Sequence, residues 1–110
     1  MLNIQLYMAQ RLSAMLMAPL VLGHLAVMIY AIQGGLSAEE ILTRTRGSAA
    51  WFLYYGLFVA AASVHGAVGL RVIVHEMTGL RGWGLWSLTW GFGLILMFLG
   101  ARAVMAVTGL

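Results

Sequence analysis

Residues 48–74 read SAAWFLYYGLFVAAASVHGAVGLRVIV, and this stretch decides the fold. After the opening serine, only Ser63, His65 and Arg71 interrupt the apolar run. Coiled into a helix, it is long enough to cross a hydrocarbon core of about 30 Å. Residues 12–32 form a second such run, carrying Ser13 and His24, and residues 84–107 a third, carrying Ser87, Thr89 and Arg102. Backbone groups cannot stay unpaired in lipid, and all three runs are much longer than barrel strands, so each is expected to be helical. The chain therefore reads as a single domain over residues 1–110, an all-α integral membrane bundle of three transmembrane helices. Its spans are about 12–32, 48–75 and 84–107, and the odd number sets the two termini on opposite sides.

Composition leads to the same class. Of 110 residues, 63% are hydrophobic and 8% charged, against roughly 25% charged in a soluble domain. A soluble domain of this size leaves too much of its chain exposed to hide that much apolar surface, so lipid is the expected solvent. There is no cysteine, which excludes disulfides, thiolate metal sites and cysteine nucleophiles. Neither a Gly-rich phosphate loop nor a hydrolytic triad is present, so the chain is not expected to be a complete enzyme on its own. The apolar stretch after Arg11 exceeds the roughly 7–15 residues of a signal-peptide core and reads as a retained helix.

The joints between spans are also legible. Gln33-Gly34-Gly35 ends the first span, and Ser37 followed by Glu40 resembles a capping box opening a short interfacial turn from Ser37 to Thr45. Gly79 to Gly82 breaks the second span before Trp83 opens the third. Trp83, Trp86 and Trp90 follow as an aromatic stripe, with the first two read as a headgroup belt. Gly84 with Gly91, and Gly93 with Gly100, recur every seven residues and read as helix-packing positions.

The net charge of +3 rests on six arginines without any lysine. They are dispersed at span ends rather than clustered as nucleic-acid binding requires, so no nucleic-acid partner is expected. Arg11, Arg71 and Arg81 fall on the N-terminal side, and Arg44, Arg46 and Arg102 on the other. With the two sides tied, the positive-inside rule does not orient the chain.

Chemistry concentrates in the polar residues of the first two spans. Ser13 and His24 lie eleven residues apart, as do His65 and Glu76, so each pair shares a helix face and spans roughly 16 Å. Two antiparallel helices would then bring Ser13 and Glu76 to one water boundary, with His24 and His65 near mid-bilayer. In a soluble core a lone histidine is more often a hydrogen-bonded structural residue. Within lipid an ionisable side chain by default points to function, and imidazole is a common axial ligand of haem iron. His65 and His24 are accordingly the candidate haem-iron ligands. Gly66 and Gly69 would let a flat macrocycle approach the second helix, and Arg71 and His75 could meet haem propionates, although Arg71 equally fits a side chain snorkelling to headgroups. Helices in contact run about 8–10 Å apart, too close for one haem gripped by both histidines, so an opposing ligand from a second chain is expected. Pro19 lies between Ser13 and His24 and is expected to kink the first helix.

These residues resemble a known family. Gln10-Arg11-Leu12-Ser13-Ala14 is similar to the His-Arg-x-Ser-Gly segment that begins the first span of membrane-anchor subunits of succinate dehydrogenase and fumarate reductase, the complex II family. His65-Gly-Ala-Val-Gly69-Leu-Arg71, with Glu76 eleven residues after the histidine, resembles its His-x-x-x-Gly-x-Arg and downstream Asp pattern, and Ile4-Gln5-Leu6-Tyr7 echoes its leader. Gln10 and Ala14 depart from the family's His and Gly, and Tyr7 stands near its usual upstream serine. The resemblance implies a cytochrome b anchor carrying haem b, with His65 as the second-helix ligand. A first-helix histidine such as His24 is similar to the two-haem branches, where it binds a different haem. Arg11 and Ser13 would then lie near the quinone, with Glu76 at the same boundary.

The implied partners are a flavoprotein subunit, an iron–sulfur subunit, a second membrane-anchor chain and the lipid bilayer. The implied location is multi-pass in a bacterial inner (cytoplasmic) membrane or a mitochondrial inner membrane, and the implied role is electron transport between the tricarboxylic acid cycle and quinone. A quinone head group has two carbonyl acceptors that become hydroxyls on reduction. Arg11 and Ser13 can donate to them, and Glu76 can exchange protons. Two other readings stay open: a non-redox three-helix subunit stabilising another membrane assembly, and a different haem b electron carrier.

Overall fold

The computed structural model describes residues 3–110 as four helices: α1 (Ile4–Gly34), α2 (Ala38–Thr45), α3 (Ala49–Thr78) and α4 (Gly82–Thr108). Local chemistry sets most of their ends. The side chains of Asn3, Ser37 and Ser48 accept hydrogen bonds from the backbone N–H groups of Leu6, Glu40 and Trp51, each satisfying a donor that a helix start leaves open. The Ser37 cap agrees with the expected opening of the interfacial turn. Gly79 ends α3 in the left-handed conformation at φ 74°, and its N–H donates to the His75 carbonyl.

Three of the helices are long and apolar enough to cross a membrane, in agreement with the expected count. At 1.5 Å per residue they measure roughly 40–47 Å, matching the 48 Å long axis of the molecule. All exceed a hydrocarbon core of about 30 Å, so their ends reach the headgroup layers. α1 starts at Ile4, eight residues before the expected boundary at Leu12 (12 − 4 = 8). Gln5, Gln10 and Arg11 lower the hydropathy of that first segment without ending the helix, because Asn3 caps it further out. α1 also runs unbroken through Pro19.

α3 is the central helix, packed against α1 on one side and α4 on the other. Contacts fix both registers as antiparallel. Against α1, Gly69 faces Gln10, His65 meets Ser13, and Tyr54 lies against Gly23 and donates to the Leu20 carbonyl. Facing positions thus advance along one helix as they recede along the other. Against α4, Ala67 faces Gly93, Val59 faces Gly100, and Arg71 reaches Thr89. A Cβ at Gly100 would run into the Val59 side chain, and one at Gly93 would lie 3.2 Å from the Ala67 Cβ. The Gly93–Gly100 repeat is thus a packing seam. Gly91 has open space, and Gly84 meets only the nearby Leu80, so the other heptad pair does not join it.

α2 docks under the C-terminal end of α4. Thr45 donates to the Val107 carbonyl, and Gly47 N–H to that of Thr108 at 2.6 Å. The start of α1 and the Gly79–Gly82 turn therefore share one end of the bundle, while α2 and the chain's C-terminus share the other, as the odd span count requires. Trp83, Trp86 and Trp90 are all exposed on α4, and Trp83 packs edge-on against Trp86.

Candidate functional site

His65 lies close to the centre of α3, whose midpoint falls between residues 63 and 64 ((49 + 78)/2 = 63.5). Its Nδ1 is 3.4 Å from the Ser13 Oγ, and the Ser13 hydroxyl also reaches the Gln10 carbonyl at 3.0 Å. Ser13 is buried. Because α1 starts at Ile4, Ser13 sits nine residues inside the helix (13 − 4 = 9), roughly 13 Å from its end. This differs from the expected pairing of Ser13 with Glu76: Ser13 is level with His65 instead. Gln10 joins the pair from one turn above, and its buried Oε1 has no hydrogen-bond partner. Gly69 gives room for the Gln10 amide, and Gly66 lies against the Leu96 and Phe92 side chains of α4.

His24 belongs to another level. By the α1–α3 register its backbone is level with residue 54, roughly 14 Å nearer the α2 end than the α3 midpoint, and its ring reaches back toward that midpoint beside Phe58. His24 and His65 thus stand at different levels of the bundle rather than side by side. The His24 ring packs edge-on to Phe58 and Tyr55, with centroids 5.5 and 6.3 Å away. It opens on a largely apolar cavity of about 440 Å³ lined also by Val59, Ala62 and Gly100 and floored by Ile41 and Thr45 of α2. Trp51 stacks on Tyr55 beside it. Spacing along the chain does not show this aromatic nest. Its members are adjacent to His24 only once the α1–α3 register is known.

The remaining candidates do not converge. Arg11 is exposed, with its guanidinium 5.8 Å from the Tyr7 ring centre and 3.5 Å from the phenol oxygen. Glu76 is exposed near the end of α3, and by the α1–α3 register lies roughly 13 Å beyond Arg11 along the bundle. Ser13 and Arg11 thus lie about 3 Å apart along α1, with Glu76 well beyond both rather than at one boundary with them. Arg71, six residues after His65, turns toward α4 and donates to Thr89 at 3.3 Å. Its buried Nε has no partner. It borders a cavity of about 550 Å³ shared with Ser63, Val64 and Val68 of α3 and with Trp86 and Trp90 of α4. His75 contacts the Leu80 carbonyl through Nδ1 at 2.8 Å, so that nitrogen carries the proton and the ring is committed to the turn after α3.

Among the described residues no group of three or more His, Cys, Asp or Glu could cage a metal ion. Each imidazole stands as a single donor, which suits the axial position of a macrocycle whose own nitrogens supply the other ligands. The donor set at His65 fits that role, since its Nδ1 is engaged by Ser13 and Nε2 is left for a ligand. His24 and His65 are too far apart along the axis to clasp one haem between them.

A family model described as the succinate dehydrogenase/fumarate reductase transmembrane subunit matches residues 2–101. No curated protein and no solved structure matches the chain.

Proposed function

From its membership of the succinate dehydrogenase/fumarate reductase transmembrane-subunit family, to which this multi-pass membrane chain belongs, we propose that the protein is a haem b-carrying anchor of a quinone-linked complex of that family. The observation that carries this reading is the imidazole of His65 in the middle of a candidate membrane span, in contact through Nδ1 with a buried serine. An ionisable side chain there is costly unless it serves a function. A haem b bound by His65 would supply a one-electron relay between iron–sulfur clusters and quinone.

In this reading His65 would hold the haem iron from this chain, and the opposing donor would come from a second anchor chain. Arg71, whose buried Nε lacks a partner, is the residue of this chain best suited to an anionic propionate. His24, in its aromatic cavity near the α2 end, is the candidate ligand for a separate haem. Arg11 beside Tyr7 offers donors to a quinone carbonyl, and Glu76 at the outer end of α3 can exchange protons with water. The end bearing the α1 start and the Gly79–Gly82 turn faces the flavoprotein and iron–sulfur subunits on the cytoplasmic side of a bacterial membrane, or the matrix side of a mitochondrial one.

Purification of the tagged chain from native membranes in mild detergent tests the assembly. A flavoprotein and an iron–sulfur protein should co-elute with it in constant ratio. Elution without them, in every detergent that keeps the bundle helical, would contradict the reading.

A further inference from the structure

We propose that Ser13 is a positioning residue that fixes the tautomer of His65, holding the proton on Nδ1 so that the Nε2 lone pair is free to bind iron. The proposal rests on the haem-anchor reading above and reassigns Ser13 from the quinone to the ligand histidine.

Counting protons leads to this tautomer. A serine hydroxyl has one hydrogen to donate and two lone pairs to accept with. Ser13 Oγ lies 3.0 Å from the Gln10 carbonyl, and a carbonyl can only accept, so the hydroxyl hydrogen is directed there. Toward His65 Nδ1, 3.4 Å away, Ser13 then has only a lone pair to offer, and a contact between them requires Nδ1–H as the donor. A neutral imidazole carries one N–H, so Nε2 is left with its lone pair exposed.

The opposite arrangement would turn the hydroxyl toward Nδ1 and leave an Nε2–H donor without an acceptor in a lipid-solvated bundle. That donor would lose its hydrogen bond to water and gain none. Burial of Ser13 keeps water from competing at Nδ1. The back-bond to Gln10 and the bond from His65 thus act in series, with the helix backbone setting the serine and the serine setting the imidazole. A donor bond from Nδ1–H also raises the basicity of the ligating nitrogen, as partners of metal-bound histidines generally do.

The test uses the complex purified with wild type, Ser13→Ala, Ser13→Thr and His65→Ala. Haem per chain, haem loss on dilution and the haem midpoint potential are measured, and subunit ratios report assembly. Ser13→Ala should assemble, lose haem at least about tenfold more readily and titrate at a higher potential, because the weaker-donating imidazole stabilises ferric iron less. Ser13→Thr, which keeps the hydroxyl, should restore both. Unchanged potential and haem retention in Ser13→Ala would overturn the proposal, as would Ser13→Thr behaving like Ser13→Ala. Should Ser13→Ala not assemble, nitrogen-15 spectra of histidine-labelled wild-type chain without haem decide between the tautomers: protonated Nδ1 at His65 supports the proposal, and protonated Nε2 overturns it. Failure of the haem reading itself looks different, since His65→Ala would then retain the wild-type haem content.

Discussion

His65 depends on its neighbours for everything except its basicity. Its level comes from the middle of α3 and its hydrogen-bond partner from Ser13 of α1. His65→Ala should therefore abolish binding of the haem at this level, because no other described side chain at that depth offers an imidazole. His24→Ala should leave that haem and its spectrum in place, since the two histidines are roughly 16 Å apart along the axis. A His24 variant that loses all haem would show that the two act together. For the quinone, Arg11→Ala should slow succinate-driven quinone reduction severalfold while dye reduction at the soluble subunits persists. Wild-type quinone kinetics in that variant would assign the donor to partner chains.

What the sequence left illegible at this scale was register. Spacing put His65 and Glu76 on one face and Ser13 and His24 on another, but a periodicity within each helix does not say how the two helices slide past each other. The slide is set by contacts between the two helices, Gly69 against Gln10 and Tyr54 against Leu20 and Gly23, which bring Ser13 level with His65. Ser13 and His65 were each legible as polar residues in apolar spans. Their meeting was not.

Between elements, the glycine seam decides how α3 and α4 approach. Gly93 and Gly100 admit Ala67 and Val59, while Gly91, in the same helix, faces open space. Heptad spacing selected all of these glycines equally, because it cannot distinguish a face turned to a neighbour from one turned to lipid. Gly100→Ala should force Val59 or the backbone to move and lower stability by about 1–3 kcal/mol, as overpacking of a close contact does. Gly91→Ala should be nearly neutral. Thermal denaturation in detergent compares the two, and equal effects would remove the seam. The end of α3 was legible from Gly79, and the start of α2 from Ser37, because caps carry their own chemistry in the sequence.

At the level of the whole molecule, composition alone sufficed for the class: three apolar runs with few charges leave helices in lipid as the only solution. The arginine tie left orientation undecided, and the antiparallel order of α1, α3 and α4 supplies relative sidedness only. Cysteines introduced at Asn3 and Gly82 should label from the same face of the membrane, with Ser37→Cys labelling from the opposite one. Labelling of Asn3 and Ser37 variants from one face would rule out three crossings.

The central claim is that this bundle carries haem b at His65, and a reduced-minus-oxidised spectrum of the purified complex, with haem quantified per chain, tests it most directly. A b-type difference spectrum is expected in the wild type, with its His65-dependent part missing from an assembled His65→Ala complex. A wild-type complex without haem, or a His65→Ala complex with the full wild-type haem content and spectrum, would contradict it.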